Sequence, residues 1–299
     1  MNYKSEFLSI REMCCITTAS CDRFFIRAIN LIYSIKKNFP DHPQIYIFDL
    51  GMSALQLREL RSIKGVKIEY VERFAPHWRA DYSWKLYIYN QIPTKPYLFH
   101  IDAGAVVLRN LYLIFLSLAK NDFFLIGQSQ KLLDIFPEDY LSKLNIQNKE
   151  GLNLRKVFTA GIIGINRSKS LVLKTVIEAY DLSIQGYCLG YSKQEMHRDS
   201  SNLRIVRDCN CFRHDQTIIN LLVYKYFHDY LIHREIKYIG MQSSKSHKMQ
   251  YIWNSRLDNK ALKYIYIFDI NNFVFSILNR VILISGVIAR RIHKVLWKS

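Results

Sequence analysis

Asp102 stands in the stretch YLFHIDAGAVVLRNL, residues 97–111, with apolar residues on both sides. A carboxylate in such surroundings is expensive to bury unless a cation or hydrogen-bond donors meet it, so the position calls for a partner. Backbone N–H groups of the following turn would serve, and so would a bound ligand. A second acid lies in the triplet His214-Asp215-Gln216, which leads into the apolar-periodic run TIINLLVYKYF. Such a triplet opens a helix, where free backbone N–H groups and side-chain acceptors can reach a ligand. As a bare N-cap, Asp215 would need neither the flanking His nor the Gln. Lys85, after Trp84, is a cation on an amphipathic stretch, able to snorkel to solvent or to meet an anion. Cys209, Cys211 and His214 in CNCFRH, with Cys188 as a distant fourth, fall short of the paired C-x2-C spacing of structural zinc and read as ordinary thiols.

The elements that must position these groups alternate along the chain. CCITTAS (14–20) reads as a strand. Residues 22–38 read as a helix with Phe24, Ala28, Leu31 and Ile35 on one stripe, Asp22 as its N-cap and Pro40 beyond its end. QIYIFDLG (44–51) and VKIEYVERF (66–74) read as strands around a helix over 53–65; 81–92 is helical and 97–108 a strand. VFTAGIIGIN (157–166) reads as a buried strand in which Gly161 and Gly164 permit close backbone approach. A helix runs from Ser168 to about Leu182, 183–208 form a polar excursion, and the last helix begins at or just before Asp215. Strand–helix alternation predicts an α/β fold with a mostly parallel sheet covered on both faces. Ligands in such sheets gather at the carboxyl ends of the strands, where Thr17, Thr18, Asp49 and Asp102 fall.

The order SWKLYIYNQI, HIDAGAVVLRNL, FTAGIIGIN, RHDQTIINLL resembles the GT-A fold of nucleotide-sugar-dependent glycosyltransferases, particularly family-8-like and related bacterial polysaccharide enzymes. The resemblance implies a mixed, mostly parallel sheet flanked by helices, with a catalytic domain over 1–254 and a helical basic tail over 255–299. It implies transfer of a hexose from a nucleotide-sugar donor to a hydroxyl of a glycan or lipid-linked acceptor in surface polysaccharide biosynthesis. In such enzymes an Asp-x-Asp motif holds Mn2+ or Mg2+ against the donor diphosphate, neutralising the leaving group. Asp102 is the first of that pair; the second is replaced by Gly104, leaving His247 as the other implied ligand. Lys85, Lys245 and Lys248 would hold the diphosphate. Asp102, Asp215 and Gln216 would be the catalytic set, with Asp215 and Gln216 on sugar hydroxyls, since carboxylates and amides suit vicinal diols. Thr159, standing where the family often has Asn, and His214 would touch the donor. Thr17, Thr18 and Asp49 would line the base and ribose pocket.

Composition narrows the class. At 299 residues, 49% hydrophobic and 14% aromatic, the chain can bury a large core. Its 42 Lys+Arg against 25 Asp+Glu give a formal charge of +17, which favours nucleic acid, anionic lipid or phosphorylated substrates. No zinc finger, helix-turn-helix or RNP-like motif is present, so nucleic acid is not the expected partner. The N-terminus is charged and lacks an apolar signal core, no apolar run is long enough to span a bilayer, and the six Cys show no disulfide framework; a cytoplasmic protein is expected. Residues 273–299 hold no acid, and Arg280, Arg290, Arg291, Lys294 and Lys298 share one helical face, the pattern of an anchor on anionic lipid at the inner membrane face. Two competing expectations remain: a non-catalytic scaffold of the same fold, prompted by Gly104, and a basic nucleic-acid-binding protein, prompted by the charge.

Overall fold

The computed structural model describes residues 2–75, 78–79, 81–92, 94–136, 139–147, 150–189, 212–227, 230–234, 239–241 and 250–254. Helix α1 (Tyr3–Ile10) precedes strand β1 (Cys14–Ser20), helix α2 (Phe25–Asn38), β2 (Gln44–Asp49), α3 (Ala54–Arg61) and β3 (Val66–Tyr70). Then come α4 (Trp84–Asn90), β4 (Tyr97–Ile101), β5 (Val106–Val107), α5 (Tyr112–Lys120), β6 (Phe123–Lys131), α6 (Asp139–Lys143), β7 (Lys156–Asn166) and α7 (Ser170–Ile184). Helix α8 (Asp215–Tyr226) and the short strands β8 (Ile232–Arg234), β9 (Ile239–Met241) and β10 (Ile252–Asn254) close the described chain.

Seven strands form one mixed sheet in the order β3-β2-β1-β4-β7-β6-β8, and β5-β10-β9 form a second, smaller one. β3, β2, β1 and β4 run parallel, whereas β7 is antiparallel to both β4 and β6. Strand residues alternate between two cores, as the period of two demands. Cys15, Ala19, Tyr46, Phe48 and Leu98 join the core covered by α4, α7 and α8. Ile16, Ile45, Ile47, Phe99 and Ile101 join the core covered by α1, α2, α3 and α5. Both faces are therefore covered, and the central strands are buried throughout.

Three elements differ from the sequence reading. The stretch 97–108 is not one strand. The chain turns after Ile101, with Ala105 N donating to Asp102 O at 3.0 Å, and β5 then pairs with β10 in the second sheet. The predicted strand at 66–74 stops at Tyr70. Asp22 does not cap α2 but opens a short 3-10 turn (Asp22–Phe24), its Oδ1 accepting from Arg23 N at 2.8 Å, and α2 starts only at Phe25.

Candidate active site

Asp102 lies one residue past β4, and its backbone N–H, donating to Gly161 O at 2.7 Å, makes the last link to β7. Its neighbour across that link must be glycine. A Cβ on Gly161 would lie 2.6 Å from Asp102 Oδ2, so the close approach anticipated for this glycine is made by the Asp102 carboxylate. Lys85 reaches the same carboxylate from α4. Its Nζ lies 3.0 Å from Asp102 Oδ1, 3.1 Å from Oδ2 and 3.9 Å from Asp215 Oδ2. One helical turn on, Tyr89 donates its hydroxyl to Ala160 O at 3.2 Å, tying the same face of α4 to β7. The Arg167 guanidinium donates to Tyr89 O and to carbonyls beyond the end of α4, capping a helix end that would otherwise be bare.

Behind Asp102 stands a fully buried His100. Its Nε2 is 3.3 Å from Asp102 Oδ1 and its Nδ1 is 3.1 Å from Thr17 Oγ1. The carboxylate can only accept, so a neutral His100 carries its proton on Nε2, leaving Nδ1 to accept from the Thr17 hydroxyl. Thr17, His100, Asp102 and Lys85 thus form a chain of contacts running from the centre of the sheet to its mouth.

The other wall is the start of α8. His214 adopts φ +52°, ψ −121°, a backbone state strained for a side chain with a Cβ. Its ring holds the turn in place, with Nδ1 2.8 Å from Cys188 O and Tyr82 and Phe212 rings on either side. With that turn in place, Arg213 and Asp215 both line one cavity. Gln216 donates from Nε2 to Phe158 O at 2.9 Å and to Gln128 Oε1 at 3.0 Å. Since a backbone carbonyl only accepts, the amide nitrogen is fixed toward Phe158, and Gln216 Oε1 takes no hydrogen bond among the described residues. Asn220 locks α8 to β7 by accepting from Phe158 N at 2.8 Å and donating to Phe158 O at 3.0 Å.

The two carboxylates around Lys85 are tuned in opposite directions. Burial alone would raise Asp102, but Lys85 and His100 outweigh it and hold the carboxyl down at about 2. With 40% of its side chain still open to solvent, Asp102 meets less opposition from enclosure, and the ammonium beside it sets the direction. Asp215 has only 6% of its side chain exposed, and its Oδ2 lacks a hydrogen bond; burial pushes it up to about 7 against the pull of Lys85. Burial would lower Lys85, yet Asp102 and Asp215 raise it, so the ammonium is retained. Burial lowers His100, which keeps the ring neutral.

Lys85, Asp102, Thr159, Asp215 and Gln216 are thus brought together around a cavity of about 490 Å3. Other expected residues sit elsewhere. Thr17 and Thr18 are fully buried and do not line the cavity; Thr17 supports His100, and Thr18 Oγ1 has no hydrogen bond among the described residues. Asp49 accepts from Gly51 N and Met52 N at 2.8 and 2.6 Å, closing its own turn, and does not line the cavity. The His214 ring turns to Cys188 rather than to the cavity. Lys245, His247, Lys248, Cys209 and Cys211 lie outside the described residues, as does the basic tail. His100, Gln128 and Arg213 escaped the sequence reading. For His100 a signal existed, because it stands two residues before Asp102 and so on the same strand face.

The described donors do not fit a divalent ion. No group of three or more His, Cys, Asp or Glu converges among them. Lys85 and His100 already occupy Asp102, and Gly104 brings no side chain where a second carboxylate would stand.

No family model and no curated protein matches the sequence. Solved structures match its fold. The bifunctional glycosyltransferase WbbM, in its apo structure, is similar at TM-score 0.54 and 16% identity, over 87% of this chain and 50% of that one. This chain therefore spans half the length of WbbM. The galactosyltransferase LgtC, in complex with donor and acceptor sugar analogues, aligns at TM-score 0.48 and 14% identity, over 80% of this chain and 86% of that one. GlyE of Streptococcus pneumoniae TIGR4 aligns at TM-score 0.44 and 14% identity, over 74% and 45%. The chain has a GT-A-like fold, the fold of glycosyltransferases.

Proposed function

We propose that this protein is a glycosyltransferase that moves a hexose from a nucleotide-sugar donor to a hydroxyl of a glycan or lipid-linked acceptor in surface polysaccharide biosynthesis. One observation carries the reading: two oppositely tuned carboxylates share Lys85 in a cavity at the carboxyl ends of the strands of a GT-A-like sheet. Breaking the bond between the anomeric carbon and the diphosphate leaves negative charge on the departing group. Lys85 has three N–H donors; it donates to Asp102 Oδ2, lies 3.0 Å from Asp102 Oδ1 and 3.9 Å from Asp215 Oδ2, and lines the cavity, a positive charge placed where that charge develops. Asp215 and Gln216 Oε1 are the open acceptors for sugar hydroxyls. Near a pKa of about 7, Asp215 can also exchange a proton with a hydroxyl at working pH. Asp102, held from behind by His100, orients Lys85 and keeps one edge free for a donor hydroxyl.

Residues 273–299 would carry the site to an anionic membrane surface at the cytoplasmic face. Among the described residues no helix is long and apolar enough to cross a membrane. The test is a panel of nucleotide sugars, scored by thermal stabilisation with and without manganese and then by turnover. One donor should raise the midpoint, since a ligand at 100 times its Kd adds about 2.7 kcal/mol. Asp102→Asn should abolish transfer with the far-UV spectrum unchanged. Full activity in that variant would remove the assignment.

A further inference from the structure

We infer that Arg213 is an anion-binding residue of this cavity, gripping a phosphate or carboxylate group of the substrate. That the ligand is a substrate rests on the glycosyltransferase reading; that it is an anion does not. Four charged side chains line the cavity: Lys85, Arg213, Asp102 and Asp215. Lys85 is committed to both carboxylates, at 3.0 and 3.9 Å, and neither carboxylate pairs with Arg213. Arg213 is held only by its backbone, whose N–H donates to Thr217 Oγ1 at 3.0 Å. Its guanidinium makes no hydrogen bond or ion pair among the described residues, and its Nε is shut off from solvent without a partner.

An arginine cannot shed its proton to relieve that state, so the buried donor stays unmet until a ligand supplies oxygens. The strained turn at His214, held by Cys188 O, accompanies the arrangement in which Arg213 and Asp215 line the same space. The planar guanidinium presents two parallel N–H groups that match two oxygens of a phosphate or carboxylate, a geometry the ammonium of Lys85 lacks. Gln130 lines the same cavity, and its Oε1 is likewise buried without a partner, an acceptor for a hydroxyl on the same ligand.

Two sources can supply the anion: the donor diphosphate, or an acid group on the transferred sugar or the acceptor. Isothermal titration of the full chain separates them. Pyrophosphate, UDP and GDP probe the first source; glucuronate and glycerol phosphate probe the second, with glucose and uridine as neutral controls. Arg213→Gln should weaken one anionic class about 10- to 100-fold, the range of a lost charge-assisted hydrogen bond, while neutral probes bind as before. Loss confined to pyrophosphate and nucleoside diphosphates places the diphosphate on Arg213; loss confined to the acids places an acidic sugar or acceptor there. Arg213→Lys keeps the charge without the fork and should remain several-fold weaker, which decides the matter if the Gln variant misfolds. Equal binding of every anion by wild type and both variants overturns the inference, as does wild type binding none. Failure of the glycosyltransferase reading looks different: no nucleotide sugar is turned over, while the variants still discriminate among anions.

Discussion

Polar residues crowd the carboxyl ends of β1 and β2 as closely as they crowd the mouth formed by β4, β7 and α8, yet the two regions use them differently. At β1 and β2 most of the bonds close on the protein itself, Thr18 Oγ1 being the exception, buried without a partner among the described residues. Thr17 serves His100, Ser20 Oγ donates to Cys21 O at 3.0 Å, and Asp49 Oδ1 takes two backbone N–H groups. At the other mouth the bonds stop short. Among the described residues Asp215 Oδ2 has no hydrogen bond, Gln216 Oε1 is free, and the Arg213 guanidinium pairs with no acid. Folding tolerates such gaps poorly, because each unsatisfied buried group costs about 1–3 kcal/mol. A polar strand end marks a ligand site when its bonds are incomplete, and the residue types alone do not reveal that.

The comparison breaks most readily at Lys85. Replacing it by Met removes the one cation between two acids, so that Asp215 must take up a proton and Asp102 loses its ammonium. The solvent-facing edge of Asp102 softens the loss, so the expected destabilisation is about 3 kcal/mol, the low end for breaking a buried pair, together with loss of transfer. Urea unfolding and turnover of the identified donor measure both. A stable, active Lys85→Met protein would show that the two mouths do not differ in kind.

Asp215 sharpens the contrast through pH. Its carboxyl sits at about 7 when folded, well above the usual range near 4 for an unfolded chain, so the native state holds its proton more tightly. Its contribution is therefore favourable below pH 4 and is lost as pH rises through 7. Asp102 behaves with the opposite sign: at about 2 in the fold, it stabilises above pH 4 and fails as pH falls toward 2. Asp215→Asn should gain stability relative to wild type steadily between pH 4 and 7 and then level off, as read from thermal midpoints across that range. A constant offset would mean that Asp215 is not raised.

How much of this was legible beforehand follows from the kind of interaction concerned. The layered sheet and the place of Asp102 were, because apolar runs with a period of two and an acid at the end of one are local facts. The close approach at Gly161 was too, since a glycine inside a buried strand has few other reasons to be there. The second sheet was not, as β5 has two residues and β10 three, and they pair across about half of the chain. Helix α5 escaped because its run Tyr112–Lys120 is apolar nearly all round and shows no stripe. The bond from Thr17 to His100 was not legible because β1 is buried on both faces, so alternation cannot say which hydroxyl is already bonded. Arg213 was invisible for a related reason: its importance lies in Lys85 having taken both acids, a fact of three dimensions only.

The smallest effects test the closed mouth. Thr17→Val leaves His100 Nδ1 without its donor in a fully buried position, which should cost about 1 kcal/mol of stability and weaken donor binding only through the set of Asp102. Asp49→Asn should do less. The new amide oxygen can still accept from Gly51 N and Met52 N, so the turn persists and stability should stay within about 0.5 kcal/mol. Donor affinity by calorimetry should match wild type, because the carboxylate closes its own turn and the cavity lies at the other mouth. A tenfold loss of nucleotide affinity in Asp49→Asn would mean that the base and ribose lie across β1 and β2 after all. The two mouths would then form one site, with the diphosphate reaching from Asp49 to the Lys85 cluster.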